Sequence, residues 1–349
     1  MSAKPHHDRK KIAGIVFGSV VVVFVFAYLL PKIADYGQVW SVVSTLSWWW
    51  ILALVAVSAF FILSDAPPWL AVLPGLSFFN ALRMDLAGSA LSQVLPGGAA
   101  VNAATQFGML KSWGFEGQPV VLAVSLTTLW NQFVTFGFPL IAIGLLSLEG
   151  GREKTLGLVA LAGLVIVAVL VGVIVAILWS PGMAKGIGDR AARVATRLKA
   201  IFHRGPVDWG GDDLVSFRAQ AIELLRNRWP ALTITTLVNQ LAVFGVLLVS
   251  MRALGVTSSQ VGLVEAFAAW SLVRALGSIP ITPGGLGVEE VALSGALVAF
   301  GAHNAEAVAA TLVYRFMTVV PSVVLGLASV ATYNLGRPKT RLEPQADAS

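Results

Sequence analysis

Two interrupted apolar stretches decide how this chain folds: residues 261–300, VGLVEAFAAWSLVRALGSIPITPGGLGVEEVALSGALVAF, and residues 79–113, FNALRMDLAGSALSQVLPGGAAVNAATQFGMLKSW. The first is broken by Thr282-Pro283-Gly284-Gly285-Leu286-Gly287 and the second by Leu95-Pro96-Gly97-Gly98. At helical rise, the two arms of the second stretch reach about 25 and 22 Å, each short of the roughly 30 Å hydrocarbon core of a bilayer. Arms of that length suit re-entrant helical hairpins. Proline removes a backbone donor and the glycines open the chain, which membrane depth tolerates only where protein or a water-filled cavity satisfies the freed groups.

The composition around these stretches points to a bilayer as solvent. Of the 349 residues, 56% are hydrophobic and 12% are charged, against about 25% charged in soluble domains, and the mean hydropathy is +0.79. With no cysteine, a disulfide framework, a zinc-thiolate site, an iron-sulfur cluster and a thiol nucleophile are excluded. The four histidines (His6, His7, His203 and His303) fall at the N-terminus and at loop positions, which argues against a buried metal site or a histidine base. Apolar runs predict full spans at 12–30, which is uncharged, and at 48–73, 118–148, 155–179, 230–252 and 305–333. The run 12–30 is long and no small-x-small site follows it before Pro31, so it reads as a retained helix rather than a cleaved signal. Trp48-Trp49-Trp50 reads as an interfacial anchor.

The cations set the orientation. Four of the 24 lie in residues 1–11, nine in 180–229 and three in 337–341, so sixteen fall in three polar zones, which the positive-inside rule places in the cytoplasm. No aromatic-interleaved basic face accompanies the net charge of +6, so it signals topology and not nucleic-acid binding. Within the middle zone, residues 185–204 place Ile187, Ala191, Val194, Leu198 and Ile201 on one face and Arg190, Arg193, Arg197 and Lys199 around the other. That is a basic amphipathic helix for the anionic inner leaflet, with a solvated linker as the rival reading. Residues 214–225 repeat the pattern more weakly after a turn at Gly210-Gly211-Asp212-Asp213.

The two broken stretches also resemble one another. Each is followed, 18 residues after its proline, by a glycine at a helix end (Gly114 after Pro96, Gly301 after Pro283), then by a long span containing Pro139 or Pro321. The predicted fold is therefore an all-α polytopic membrane protein with about six full spans plus two re-entrant hairpins in an inverted repeat. Its parts are a cytoplasmic tail (1–11), a first half (12–148, hairpin 79–113), a second half (155–335, including the connection 180–229 and hairpin 261–300) and a disordered cytoplasmic tail (336–349). An eight-helix protein with two unrelated proline kinks is the competing reading.

At the second hairpin a family comes into view. Ser278-Ile279-Pro280-Ile281-Thr282-Pro283-Gly284-Gly285-Leu286-Gly287-Val288-Glu289-Glu290, followed by Tyr314-Arg315, resembles the transmembrane region of bacterial lysylphosphatidylglycerol synthases, the multiple peptide resistance factors, and their stand-alone flippase-like relatives. The resemblance covers roughly residues 10–335. In the first hairpin many relatives carry a Glu and an Arg just after the proline-glycine turn, where this chain has Val101, Asn102 and Ala104. A short polar tail follows Gly336, so the resemblance implies the lipid-translocating half without the lipid-modifying half.

Ionisable residues inside membrane segments are costly and mark function by default. Here they are Asp65, Arg83, Asp85, Glu265, Arg274, Glu289, Glu290 and Arg315. Glu290 and Arg315 match the family's pattern, and Arg274 lies nine residues before Pro283. The expected substrate site joins Arg274 and Arg315, on a lipid phosphate, to the half-helix ends opened at Pro96, Gly97 and Gly98 and at Pro283, Gly284, Gly285 and Gly287. Glu290 balances the cations or carries a coupling proton. The structural alternative is an ion pair from Glu290 to Arg315 or Arg274 that holds the hairpin against the last span. Arg83 and Asp85 read as snorkelling at the interface, with headgroup recognition as the rival reading, and Asp65 as similar. Asn131-Gln132 and Asn239-Gln240 read as interhelical hydrogen-bonding groups, with a polar cavity lining as the other possibility.

The expected function is movement of an anionic phospholipid or a polyprenyl-phosphate-linked glycolipid between leaflets of a prokaryotic inner membrane, with no cofactor and no covalent step. No Ser-Lys, Ser-His or paired-aspartate arrangement appears within the spans, and no G-x-x-x-x-G-K-[ST] loop is present. The rival is a non-transporting partner subunit that scaffolds a separate glycosyl- or aminoacyl-transferase; the expected partners are membrane lipids and either a second copy of the chain or a partner membrane enzyme.

Overall fold

The computed structural model describes residues 44, 46–94, 98–148, 172, 180–201, 207, 210–278 and 288–333. Among these, all regular structure is helical, and ten helices are bounded: α1 (Trp48–Ser64), α2 (Pro67–Val72), α3 (Phe78–Val94), α4 (Gly98–Ser112), α5 (Gly117–Leu148), α6 (Pro181–Ile201), α7 (Gly211–Ala253), α8 (Leu263–Gly277), α9 (Val288–Ala299) and α10 (Asn304–Tyr333). Four units are long and apolar enough to cross a membrane: α1 with α2, then α5, α7 and α10. They coincide with the expected spans 48–73, 118–148, 230–252 and 305–333. The expected spans 12–30 and 155–179 lie outside the described residues, Gly172 excepted. The protein is a multi-pass membrane protein.

The local chemistry explains where the helices stop. Pro67 and Pro68 occupy the first turn of α2, and their missing N–H groups interrupt the ladder that would otherwise join α1 to α2. The glycines expected at helix ends do end helices. Gly114 has φ 89° and Gly301 φ 118°, a left-handed backbone that only glycine adopts without strain. In both cases the next amide reaches back to close the helix, Phe115 N to Leu110 O at 3.2 Å and Ala302 N to Leu297 O at 3.0 Å.

One boundary differs from expectation. Residues 214–225 do not form a separate surface helix; they belong to α7, which runs 43 residues through Pro230, about 64 Å at helical rise. The physical reason is that their apolar stripe is a packing face. Ala221 is buried, and Phe217, Leu224 and Leu225 pack on a cluster built from α2, α3, α4 and the start of α5. Helix α6 lies against the start of α7, with Gly188 facing the Gly211 backbone, Gly211 N donating to Asp189 Oδ1 at 2.8 Å, and an exposed Lys185–Asp212 pair at 2.7 Å.

The helices α3 and α4 pack together as a pair, as do α8 and α9. Each of these helices is shorter than the roughly 30 Å core. The pairs dock crosswise: α3 makes its main contact with α10 at the end of the chain, and α8 makes its main contact with α5 in the first half. The α3–α10 contact is close because a Cβ at Gly326 would stand 2.1 Å from the Leu86 carbonyl oxygen. Two large apolar clusters result, beside a small one around Val319 and Val323. One surrounds Trp69, Met84, Leu110 and Val120, and the other surrounds Trp270, stacked among Phe138, Phe244 and Phe267. Helix α5 contributes Val120 to Leu126 to the first and Val134 to Leu146 to the second, so its polar stretch from Thr127 to Gln132 falls between them.

Candidate functional site

Between the two clusters lies a cavity of about 510 Å³, walled by every described helix except α6. Its lining is polar because each wall contributes the few polar residues of its helix. From α5 come Thr127, Thr128, Asn131 and Gln132; from α7 come Thr236, Asn239 and Gln240. Adjacent residues on a helix diverge by about 100°, and Asn239-Gln240 uses that divergence. Asn239 Nδ2 donates to Ser64 Oγ at 3.0 Å and to Asp65 Oδ1 at 2.7 Å, at the end of α1. Gln240 Nε2 donates to Asn131 Oδ1 of α5, and its Oε1 accepts from Arg274 Nη2 of α8 at 3.3 Å. One dipeptide thus ties three helices around the cavity, so the hydrogen-bonding and cavity-lining readings of these amides both hold.

The expected arginines have different surroundings. Arg315 of α10 is 6% exposed and sits between two carboxylates of the first turn of α9: Nε meets Glu290 Oε1 at 2.7 Å and Nη1 meets Glu289 Oε2 at 2.6 Å. The structure thus contains the Glu290–Arg315 pair of the structural alternative, with Glu289 added. Glu289 gains further from the positive N-terminal end of α9, and it fits because Gly277 of α8 has no side chain where its carboxylate lies. Arg274 also lines the cavity, and no carboxylate among the described residues lies within ion-pair distance of it. Gly98 opens α4 with φ 34°; its neighbour Ala99 reaches the cavity, as Glu289 does from α9. Pro96, Gly97, Pro283, Gly284, Gly285 and Gly287 lie outside the described residues.

Two site residues differ from their expected place. Asp85 does not snorkel: it lines the cavity, and its Oδ1 accepts from Trp69 Nε1 at 3.0 Å and from Gln106 Nε2 at 3.2 Å. Arg83 is exposed. Two residues apart on a helix means about 200° around it, so Arg83 and Asp85 belong to opposite sides, and that spacing was the missed signal. Asp65 lines the cavity too, at the end of α1 just before the Pro67-Pro68 break.

With this geometry in hand, the family assignment follows from the whole chain. A family model described as the lysylphosphatidylglycerol synthase TM region matches residues 12–326. The chain belongs to that family. Comparison with curated proteins finds no match. In this member of the lysylphosphatidylglycerol synthase transmembrane family, Glu290 and Arg315, which belong to the motifs that carry the resemblance, are bonded to each other, while Asn102 of α4 stands outside every ion pair among the described residues. Its Oδ1 is buried with no hydrogen-bond partner among the described residues.

Proposed function

We propose that this protein carries a phospholipid, or a polyprenyl-phosphate-linked glycolipid, between the leaflets of a prokaryotic inner membrane by conformational change, without a covalent step. The observation that supports this most is the polar cavity between two apolar clusters, holding in Arg274 a guanidinium free of any carboxylate within ion-pair distance among the described residues. A guanidinium without a carboxylate in a membrane interior is costly, and a phosphate is an anion whose geometry its fork matches bidentately. The size suits a headgroup, while acyl chains stay in lipid.

Several features favour alternating access. The short helix pairs α3–α4 and α8–α9 fit re-entrant hairpins. The crosswise docking of α3 on α10 and α8 on α5 is the exchange expected of an inverted repeat, and the identical helix closures at Gly114 and Gly301 support the same correspondence. In such folds the substrate site lies at the repeat interface near the midplane. The nine cations of 180–229 favour a cytoplasmic side for α6 and the start of α7, with both termini on that side. The family's description, the TM region of a lysylphosphatidylglycerol synthase, fits a phospholipid as cargo.

The test is leaflet exchange in vesicles of phosphatidylcholine and phosphatidylglycerol carrying a headgroup-labelled phospholipid, read with a membrane-impermeant quencher. The wild-type protein exposes label from both leaflets and Arg274→Ala loses at least about tenfold in rate, the effect of removing one charge-assisted contact worth roughly 1.4 kcal/mol or more. Quenching limited to the outer leaflet with folded wild-type protein overturns the reading and favours a scaffold for a separate transferase.

A further inference from the structure

The charges around the cavity do not balance for an anionic cargo. Arg315 is matched twice, by Glu289 and Glu290, so that triad carries a net −1, and Arg274 offsets it. Asp65 and Asp85 then remain. Among the described lining residues, α2, α4, α5 and α7 face the two aspartates with uncharged groups; the charged groups come from α8 (Arg274), α9 (Glu289) and α10 (Arg315), and Tyr314 accepts from Trp270. All hydrogen bonds to the two aspartates come from neutral donors, the Asn239 amide on one and the Trp69 indole and Gln106 amide on the other. Each uses only Oδ1, so the second oxygen of each accepts nothing from the described residues.

A phosphate entering this cavity meets two like charges, and the cation that acts on Asp65, Arg274, is the one the phosphate itself engages. Like charges sharing a site away from bulk water disfavour one another strongly. The cavity offers one remedy, which is to protonate an aspartate on its unused oxygen. We propose that Asp65 and Asp85 form a proton-binding site that fills together with the headgroup phosphate at Arg274, so that lipid movement is coupled to proton movement. This rests on the transport reading above. It also relieves Glu290 of the coupling role, because the Glu290 charge is already met by Arg315. By linkage, the proton that assists phosphate binding is held more tightly once the phosphate is bound.

Two measurements test it. In weakly buffered detergent solution near pH 7, adding short-chain phosphatidylglycerol to the wild-type protein causes uptake of about one proton per lipid bound, while diacylglycerol, which lacks the phosphate, causes none. In the vesicle assay, wild-type translocation slows by about tenfold per pH unit over part of the range from about pH 6 to 9, the dependence of a step that needs one protonated group. The D65N/D85N variant takes up no proton, and any translocation it retains no longer varies with pH. Phosphatidylglycerol that binds or moves without proton uptake, or a variant that keeps the wild-type uptake, overturns the proposal and leaves the transport reading standing. If the variant does not fold, the wild-type uptake decides alone. Wild-type protein that moves no lipid overturns the transport reading, and this proposal with it.

Discussion

The pairs α3–α4 and α8–α9 are built alike and wired differently. In each, a glycine of the first helix leaves room for a polar side chain of the second: a Cβ at Gly88 would stand 2.1 Å from Asn102 Oδ1, and a Cβ at Gly277 would stand 2.1 Å from Glu289 Oε1. Asn102 follows Pro96 by six residues, and Glu289 follows Pro283 by six. Each pair docks on the last long helix of the other half. Yet Glu289 joins Glu290 on Arg315 of α10, whereas Asn102 Oδ1 is buried with no partner among the described residues. In the transport reading both pairs must move. Separating α9 from α10 exposes three buried charges to one another's loss, and separating α4 from its neighbours breaks no ion pair among the described residues, so the first pair is the easier one to displace.

The strongest way to break that contrast is to remove the guanidinium. Arg315→Ala leaves Glu289 and Glu290 in the interior without a counter-charge, which costs about 3–5 kcal/mol, read as a large fall in the unfolding midpoint in detergent. The triple variant R315A/E289Q/E290Q recovers more than half of the loss, because the penalty lies in the stranded carboxylates rather than in the missing side chain. A single variant that unfolds like the wild type would show that α9 is held to α10 by apolar packing alone.

The contrast also marks how far the sequence could be read. Four spans were legible as apolar runs, the helix ends at Gly114 and Gly301 as glycines that interrupt such runs, and the Glu290–Arg315 pair as one of the two readings of those residues. The inward direction of Asp65 and Asp85 was not. In a soluble helix the apolar stripe names the buried face; in a bilayer the lipid-facing side is equally apolar, so a lone aspartate carries no periodic background to orient it. The same ambiguity hid the length of α7. Leu214, Phe217, Ala221 and Leu224 form a stripe that suits a leaflet surface or a protein core equally well, and only the packing of Phe217, Ala221 and Leu224 against the first cluster decides. Glu289 was missed as a partner for Arg315 because the pairing joins residues 26 apart across a turn whose geometry the sequence does not specify.

Docking of the two pairs can be tested apart from their wiring. Gly326→Ala puts a methyl group 2.1 Å from the Leu86 carbonyl oxygen and 2.6 Å from the Ala90 Cβ. Neither neighbour is a flexible side chain, so α10 must shift from α3, at about 1–3 kcal/mol. Gly295→Ala in α9, where nothing lies within 4 Å of the new Cβ, is the control, and its helix propensity predicts no loss. Equal midpoints for the two variants would mean that the α3–α10 contact is looser than described.

The smallest effect isolates the neutral pair itself. Gly88→Ala collides with the Asn102 side chain, whereas once that side chain is gone the nearest remaining atom is the Asn102 carbonyl oxygen at 3.3 Å, a tight but tolerable contact. Gly88→Ala alone therefore destabilises by about 1 kcal/mol or more, the low end of overpacking. Asn102→Ala alone stays within about 0.5 kcal/mol of the wild type, because it deletes a buried acceptor that had no partner. The double variant is then close to the wild type, a coupling of about 1 kcal/mol in a double-mutant cycle of unfolding midpoints. Additive effects would mean that Gly88 and Asn102 do not share one space. A large loss for Asn102→Ala would mean that the amide is held by a contact as firm as the one Arg315 gives Glu289, and the two pairs would then be equally hard to move.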